Sequence, residues 1–290
     1  MRSLSLTVVA ARHCPTSRTY LTYLKEAGFR PSKVLLVDFV GSVPRYASLR
    51  RIFGERLAWL WLQRLRSPTV TGDEEFWALC HRVQANVPRP IDYSSEFDFS
   101  AYCGELERVT AADYNDAGLH RTLRRQSSKI FLYTDGGRVP PALLSDPSLR
   151  FLHIHPGVVP WVRGSDGLFW SLLMRGRPGA SCFFMNQGID TGDVIMTREF
   201  DRPIFDRIRS EVERDAATAY RAVLHAFDPH LRAQLFVDVV KHVDGDLRRL
   251  TGRRQEPTEG ISYYWMHPAM WRRVLVQLDT VSSQSCTKAS

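Results

Sequence analysis

Two histidines separated by one residue are the first feature of the sequence that could do chemistry. His153 and His155 stand at the end of an apolar stretch, residues 149–155, which Pro156 and Gly157 terminate. In an extended strand, residues two apart point to the same face, so we expect both imidazoles on one face of the chain. Because an imidazole can gain or lose a proton near neutral pH, this pair is a candidate acid–base centre.

A carboxylate in a glycine-rich loop is the second feature. Residues 188–193 (GIDTGD) carry Asp190 and follow a short strand predicted over residues 181–185. A carboxylate beside a histidine can orient the ring and change its pKa. Each feature alone has an ordinary interpretation, since a lone histidine is usually structural and such a loop can be a simple turn. Their order, with Arg163-Gly164 and Trp170 between them, favours a functional site.

The elements that must position these groups have the pattern of a parallel α/β sheet. Buried strands are predicted over residues 4–10, 33–40, 106–109, 129–133 and 149–155. Helices are predicted over residues 17–27, 46–65, 73–83, 115–125 and 168–174, and over 206–243 with a break near Asp228-Pro229. Strands alternating with helices predict a Rossmann-like, mostly parallel sheet with helices on both faces. Open sheets of this kind bind ligands at the carboxyl ends of their strands, where the histidine pair falls.

The motifs in this order resemble those of the folate-dependent formyltransferases, which act on glycinamide ribonucleotide, methionyl-tRNA or sugars. The family pattern is a strand, N-x-H-P-S-x-L-P, an arginine-glycine pair and later G-[LIV]-D-T-G-D. This chain has HIHPGVVP over residues 153–160, then Arg163-Gly164, then GIDTGD over residues 188–193. Upstream, residues 136–144 (GGRVPPALL) are similar to the family loop that holds the pterin of the folate. The resemblance is strong over residues 129–199 and covers little of residues 43–116 or of the C-terminal third.

The resemblance implies that an acceptor amine attacks the formyl carbon of 10-formyltetrahydrofolate. The resulting tetrahedral oxyanion must be stabilised by hydrogen-bond donors. Matched residue by residue, His155 takes the place of the catalytic histidine and Asp190 that of the supporting aspartate. The resemblance also implies substrate contacts at Arg163 and Gly164. The residues that it assigns to folate (or tetrahydrofolate) binding are Gly136, Gly137, Arg138, Val139, Pro140 and Asp193.

His153 departs from the family, because it stands where the pattern has asparagine. An imidazole can donate one hydrogen bond, so we predict that His153 and His155 together stabilise the tetrahedral intermediate, with support from Asp190. Loss of one oxyanion donor costs about a hundred- to a thousand-fold in rate. The substitution therefore marks either a changed acceptor or donor, or the loss of formyl transfer. A second departure is Gly157, where the family has serine.

Three other functions stay open at this point. One is a formyltransferase-fold enzyme with a changed reaction, such as another acyl or one-carbon transfer, a cyclisation or a hydrolysis. Another is a metal-dependent enzyme, because His153, His155 and Asp190 could form a facial triad or a three-ligand zinc site, although we expect no metal. The third is a non-catalytic folate-binding protein.

The rest of the chain predicts how the protein is organised. We expect a catalytic domain over residues 1–205, a mainly helical extension over residues 206–279, and a disordered Ser- and Thr-rich tail over residues 280–290. The extension is short for the β-barrel of methionyl-tRNA formyltransferases, which favours a small-molecule amine, in secondary metabolism or sugar modification, over tRNA. Residues 255–268 are aromatic and apolar, and they are either a core segment or a lid that uses Tyr263, Tyr264 or His267.

Composition limits the environment and the partners. The net charge is +8 over 290 residues, but the basic residues are spread along the chain, so we expect no nucleic-acid partner. We find no apolar run of the length needed to span a membrane, and we interpret the apolar N-terminus as a strand, not a signal peptide. Five cysteines without a CxxC pair indicate reduced thiols and a cytoplasmic protein. The oligomeric state, including a homodimer, stays open.

Overall fold

A computed structural model describes residues 1–12, 14–40, 51–52, 54, 74–134, 138–256 and 258–280 of the protein. Three predictions lie wholly or mostly outside these residues. They are the folate contacts at Gly136 and Gly137, the helix over residues 46–65, and the tail over residues 280–290.

The described residues form nine strands and eight α-helices. The strands are β1 (Arg2–Ala11), β2 (Phe29–Phe39), β3 (Glu105–Ala111), β4 (Ile130–Tyr133), β5 (Arg150–His155), β6 (Arg163–Gly164), β7 (Gly179–Phe184), β8 (Val194–Glu199) and β9 (Ser262–Tyr263). The helices are α1 (Pro15–Glu26), α2 (Glu74–Val83), α3 (Ala117–Arg125), α4 (Pro141–Leu144), α5 (Gly167–Arg175), α6 (Ile208–Ala226), α7 (Asp228–His242) and α8 (Pro268–Gln277).

A seven-stranded sheet in the order β3-β2-β1-β4-β5-β7-β8 forms the centre of the molecule. The pairs from β3 to β5 are parallel, whereas β7 runs antiparallel to both β5 and β8. Strands β1, β2 and β4 are apolar on both faces and are buried, as helices on both sides of a parallel sheet require. The predicted mostly parallel α/β fold is therefore confirmed.

The C-terminal helices pack on the sheet and on α1. Phe236 and Val240 of α7 share one hydrophobic core with Leu24 of α1 and Leu152 of β5. Helix α6 is interrupted at Asp215 (φ −150°, ψ 92°), whose carboxylate accepts hydrogen bonds from the backbone of the following turn. The predicted division at residue 205 stays a prediction, but helices on either side of it contribute to the same core.

Three short strands were not predicted. Strand β8 carries a polar outer half, so it lacks the apolar run by which the other strands were recognised. Strands β6 and β9 are two residues each, and they pair across the chain, Arg163 with Ser262 and Gly164 with Tyr263. This pairing brings the aromatic segment over residues 255–268 to the carboxyl side of the main sheet. Within the described part of the chain, no helix combines the length and apolar character needed to cross a membrane.

Candidate active site

His153 and His155 leave the carboxyl end of β5 on the same side and line one cavity of about 520 Å³. His153 is half-buried and His155 is only 3% exposed. The antiparallel strand β7 covers the other edge of β5, with Ser181 opposite His155 and Phe183 opposite His153. The carboxyl end of a parallel strand therefore delivers both rings to a concave surface, which is where open α/β sheets bind ligands.

The turn after β5 fits closely around the His155 ring. Ser181 Oγ donates a hydrogen bond to the Gly157 carbonyl (2.6 Å) and accepts one from the Val159 N–H (2.9 Å). A Cβ atom at Gly157 would lie 2.7 Å from Nε2 of His155, and one at Gly167 would lie 2.8 Å from it. The replacement of the family serine by Gly157 therefore has a physical reason, because a side chain there would displace this ring.

Both ring nitrogens of His155 face oxygen acceptors. Nε2 lies 3.0 Å from the Val162 carbonyl, and Nδ1 lies 3.4 Å from Oδ2 of Asp190. A carbonyl oxygen can only accept, so Nε2 carries a hydrogen and the other nitrogen faces the carboxylate. A doubly protonated ring would satisfy both acceptors. The Asp190 contact thus orients the His155 ring.

Asp190 is held through its carboxylate on one side and through its backbone carbonyl on the other. The residue has a left-handed backbone (φ 53°), and its Oδ2 accepts a hydrogen bond from the Gly164 N–H (2.7 Å). From the far side, Gln255 Nε2 donates to the carbonyls of Asp190 (2.9 Å) and Gly192 (2.6 Å). Buried Arg163 donates to Oε1 of Gln255 through Nε (3.0 Å) and Nη2 (2.7 Å). Sequence reasoning missed Gln255, which carries no motif of its own.

The two predicted substrate contacts take different places. Gly164 lines the cavity, whereas Arg163 is buried behind the Asp190 loop and does not line it. The guanidinium therefore acts on the site through Gln255 in this structure. A role for Arg163 in direct substrate binding stays a prediction that this geometry does not support.

The predicted folate contacts are also divided. Arg138 and Val139 line the cavity, together with Leu144 from α4. Pro140 is buried as the residue before α4 and does not line the cavity. Asp193 is exposed, lies outside the lining, and its carbonyl accepts the Phe184 N–H (3.1 Å) in the β7–β8 hairpin.

His153 lies between the rings of Tyr133 and Phe183, with centroid distances of 5.9 and 5.7 Å. Its Nδ1 is 3.4 Å from the Tyr133 carbonyl. Burial lowers the pKa of His153 to about 4, an effect that nearby Arg232 and His155 reinforce and Asp190 opposes. The ring is therefore neutral at pH 7.

Arg232 of α7 is a cavity-lining residue that sequence reasoning did not single out. Its Nη1 donates to the Ile154 carbonyl (3.2 Å), between the two histidines, and its Nη2 donates to Thr16 Oγ1 (2.8 Å). Its Nε lies 3.0 Å from Oδ2 of buried Asp228. In the sequence, Arg232 cannot be distinguished from an ordinary basic residue on a helix surface.

The aromatic segment over residues 255–268 forms part of the cavity wall. Ser262, Tyr263, Tyr264 and Trp265 line the cavity, although Tyr264 is 87% and Trp265 76% exposed. The Tyr263 ring stacks on Trp170 at 4.4 Å. His267 instead caps α8 by accepting the Ala269 N–H and does not line the cavity.

The three donor groups considered for a metal do converge. Ligand atoms of His153, His155 and Asp190 lie within 4.8 Å of one another. Both nitrogens of His155, however, already contact protein acceptors, so a metal would have to displace Val162 or Asp190 from the ring. The donor set fits hydrogen-bond and proton chemistry without rearrangement.

Comparison with known proteins finds similarity to formyltransferases over part of the chain. No family model matches the sequence. The methionyl-tRNA formyltransferase of Syntrophus aciditrophicus (strain SB) is 32% identical over 90 residues, which are 30% of this chain and 29% of that protein. That of Rickettsia rickettsii (strain Iowa) is 27% identical over 150 residues, which are 51% of this chain and 44% of that protein. The chain thus spans less than half the length of these relatives.

Solved structures with a similar chain include formyltransferases, at TM-scores below 0.5. A 4-N formyltransferase from Francisella tularensis is similar over 91% of this chain and 76% of its own, at 13% identity and a TM-score of 0.46. The formyltransferase PseJ from Anoxybacillus kamchatkensis, solved with UDP-4,6-dideoxy-4-formamido-L-AltNAc and tetrahydrofolate, is similar over 55% of this chain and 75% of its own. Its identity is 20% and its TM-score 0.37.

Proposed function

We propose, on the premise that the chain belongs to the formyltransferase family, that it transfers a formyl group from 10-formyltetrahydrofolate to the amine of a small-molecule acceptor. The observation that carries this proposal is the contact between His155 and Asp190 at the carboxyl end of β5, beside a cavity that both residues line. These are the two residues that match the histidine and aspartate of the family motif.

The cavity has room and chemistry for a folate donor. Its volume of about 520 Å³ is in the usual range of small-molecule sites, roughly 300–1,000 Å³. Val139, Leu144, Phe183 and Met185 give it an apolar wall suited to a flat ring system, and Arg138 adds a cation for a glutamate carboxylate. The donor supplies an activated formyl group, and every other part of the reaction falls to the protein.

The side chains divide the work by position. Asp190 orients the His155 ring, and the Gly164 N–H fixes that carboxylate in turn. His155, oriented by Asp190, favours in its protonated form the negative charge that develops on the formyl oxygen as the amine attacks. Ser262 to Trp265 border the cavity on another side, and they are the candidate contacts for the acceptor.

The first experiment asks whether the donor is consumed. Purified protein is incubated with 10-formyltetrahydrofolate and a library of amines, including amino sugars, their nucleotide derivatives and methionyl-tRNA. Tetrahydrofolate release is followed by absorbance and the products by mass spectrometry. We expect one class of small amine to gain the mass of a formyl group minus one hydrogen. Formylation of methionyl-tRNA alone would overturn the small-molecule acceptor but not formyl transfer.

Matched variants assign the activity to the site. His155→Ala and Asp190→Ala should lose the product, whereas His242→Ala and Asp201→Ala, which change exposed residues outside the cavity, should keep it. If wild-type protein neither binds nor consumes the folate, the proposed function is wrong. If it binds folate in a melting assay but forms no product with any amine, the non-catalytic folate-binding alternative is supported.

A further inference from the structure

We propose that His153 takes the proton from the acceptor amine as it attacks, and that Arg232 is a positioning residue that keeps His153 in its neutral form. This inference rests on the formyl transfer proposed above. It assigns His153 a role opposite to that of the family asparagine, because an asparagine donates hydrogen bonds from its carboxamide N–H, whereas this ring would accept a proton.

The tautomer of His153 follows from its one backbone contact. Its Nδ1 faces the Tyr133 carbonyl at 3.4 Å. That oxygen can only accept, so Nδ1 carries the hydrogen of the neutral ring, and the lone pair is left on Nε2. The ring itself lines the cavity, held between Tyr133 and Phe183. A neutral ring in this tautomer presents an acceptor and not a donor to a molecule in the cavity.

Taken together, the burial of His153 and the charged groups around it favour the neutral form of its ring. In the described part of the chain, the titratable and charged groups that act on the ring are Tyr133 of β4, His155 of β5, Asp190 of the β7–β8 loop and Arg232 of α7. Burial, Arg232 and His155 disfavour a positive charge on the ring, whereas Asp190 and the Tyr133 carbonyl favour one. The Asp190 carboxylate also contacts His155 and accepts a hydrogen bond from the Gly164 N–H. These contacts weaken its attraction for a proton on His153.

The position of Arg232 is set by contacts with β5, with α1 and with its own helix. Its guanidinium is bound to the carbonyl between the two histidines, to Thr16 at the start of α1, and to Asp228 one turn earlier on α7. A cation is thereby fixed in the cavity lining beside β5, the strand that carries both histidines. The same charge would also favour an oxyanion in the cavity, which compensates for the missing asparagine donor.

The proton balance of the proposed step is complete. The amine nitrogen forms a bond to the formyl carbon, and the carbonyl electron pair moves to oxygen. Nε2 of His153 takes one proton from the resulting ammonium. The oxyanion then re-forms the carbonyl as the bond between the formyl carbon and N10 of the donor breaks, and the imidazolium returns its proton to that nitrogen. A formamide and tetrahydrofolate result, and His153 is neutral again.

Substitution by asparagine separates the two possible roles of His153. The assay follows tetrahydrofolate release from 10-formyltetrahydrofolate with hydroxylamine as the amine, in wild type, His153→Asn and His153→Ala. A base contributes about a hundred- to ten-thousand-fold, so we expect both variants to lose activity on that scale. Free imidazole should restore part of it to His153→Ala. Activity of His153→Asn within a few-fold of wild type would show the donor role and overturn the proposal.

The role of Arg232 is read from the ring, not from activity alone. Nitrogen-15 spectra of wild-type protein at pH 7 should show His153 neutral with the hydrogen on Nδ1. In Arg232→Met the ring should gain its proton at a higher pH than in wild type, whereas Arg232→Lys should behave as wild type does. An Asp228→Asn/Arg232→Met double variant removes both charges together, in case the single variant does not fold. An Nε2–H tautomer, or an unchanged titration without Arg232, would overturn the proposal.

The two levels of hypothesis fail in different ways. If no amine, hydroxylamine included, is formylated by the wild type, formyl transfer itself is wrong. If formyl transfer proceeds and His153→Asn is as active as wild type, only the base role is wrong.

Discussion

One histidine at the cavity, His153, and an interior group of two, His225 and His230, have lowered pKa values but differ in what surrounds them. His153 lines the cavity, whereas His225 and His230 lie where α1, α2, α6 and α7 meet. Burial lowers the pKa of His225 to about 4 and that of His230 to about 3. The pKa of His225 is thus lowered as far as that of His153, and that of His230 further, so the interior group is perturbed at least as much as the cavity histidine.

The contacts of the three rings distinguish histidines that pack in the interior from one that a ligand could reach. His230 is fully buried, and its Nδ1 and Nε2 each lie 3.0 Å from a tyrosine hydroxyl, of Tyr23 and Tyr93. His225 stacks edge-on against aromatic rings. His153 has one nitrogen near a carbonyl and lines a cavity. A lowered pKa therefore marks burial, and a functional site additionally needs a ring atom that a ligand can reach.

The largest expected effect is at Asp190. Asp190→Asn keeps an oxygen for the Gly164 N–H but removes the charge that faces His155, so we expect kcat to fall about a hundred- to ten-thousand-fold with little change in the unfolding midpoint. The measurement is tetrahydrofolate release together with urea unfolding. Asp201→Asn is the matched control on an exposed loop. Activity within a few-fold of wild type would remove Asp190 from the reaction.

In the interior group we expect a loss of stability with little loss of activity. His230→Leu leaves the hydroxyl of Tyr23 without its ring partner and that of Tyr93 with Thr19 alone. We expect the free energy of unfolding to fall by roughly 2–3 kcal/mol, while kcat per folded molecule stays within about twofold. His242→Leu, on an exposed position of α7, should change stability by no more than about 0.5 kcal/mol. Loss of activity in folded His230→Leu would break the comparison between the two groups.

Sequence patterns were sufficient for much of the fold because the central strands are buried on both faces. Their apolar runs stand out against polar loops, and a strand followed by a helix permits few topologies. The pairing of β6 with β9 could not be predicted in this way. Each strand is two residues long, and the register depends on Gly164, whose φ of 91° and close approach to the Tyr263 carbonyl leave no room for a side chain.

The contact between His155 and Asp190 in the candidate site could be predicted, because residue chemistry and motif coincide there. The site was not predictable where ordinary residues act through tertiary contacts. Arg232 and Gln255 come from helical or loop segments far along the chain, and only folding brings them to β5 and to the Asp190 loop. Arg163 shows the reverse case, because a motif residue with an expected substrate contact is buried against Gln255.

A third prediction concerns how the stability of the fold changes as the pH falls. The unfolded rings of His153, His225 and His230 titrate near pH 6.5, but the folded rings have lowered pKa values, two of about 4 and one of about 3. At pH values between these limits the unfolded chain binds more protons, so stability is fully present above pH 6.5 and is lost as pH falls toward 4 and then 3. Each ring contributes a slope of up to roughly 1.4 kcal/mol per pH unit.

Urea unfolding of wild type and His230→Leu between pH 7 and pH 4 tests this slope. The variant has one buried ring fewer, so the difference in stability between the two proteins should narrow as the pH falls. A difference that is constant over this range would mean that His230 is protonated equally in the folded and unfolded chains. The comparison cancels the carboxylates, which are the same in both proteins.

The smallest expected effect is at the aromatic edge of the cavity, and it tests whether reachable groups there bind substrate. Tyr264 and Trp265 line the cavity yet are 87% and 76% exposed, so their side chains add little to folding. An acceptor that extends past the histidines would meet these rings, and an aromatic contact is worth about 0.5–1.5 kcal/mol.

Trp265→Ala should therefore raise the KM of the acceptor by roughly two- to twelve-fold, with kcat and stability unchanged. Trp161→Ala is the matched control, because Trp161 is also exposed (56%) but does not line the cavity. An equal rise in KM for both variants would assign the effect to general surface hydrophobicity, and no rise in either would place the acceptor entirely on the histidine side of the cavity.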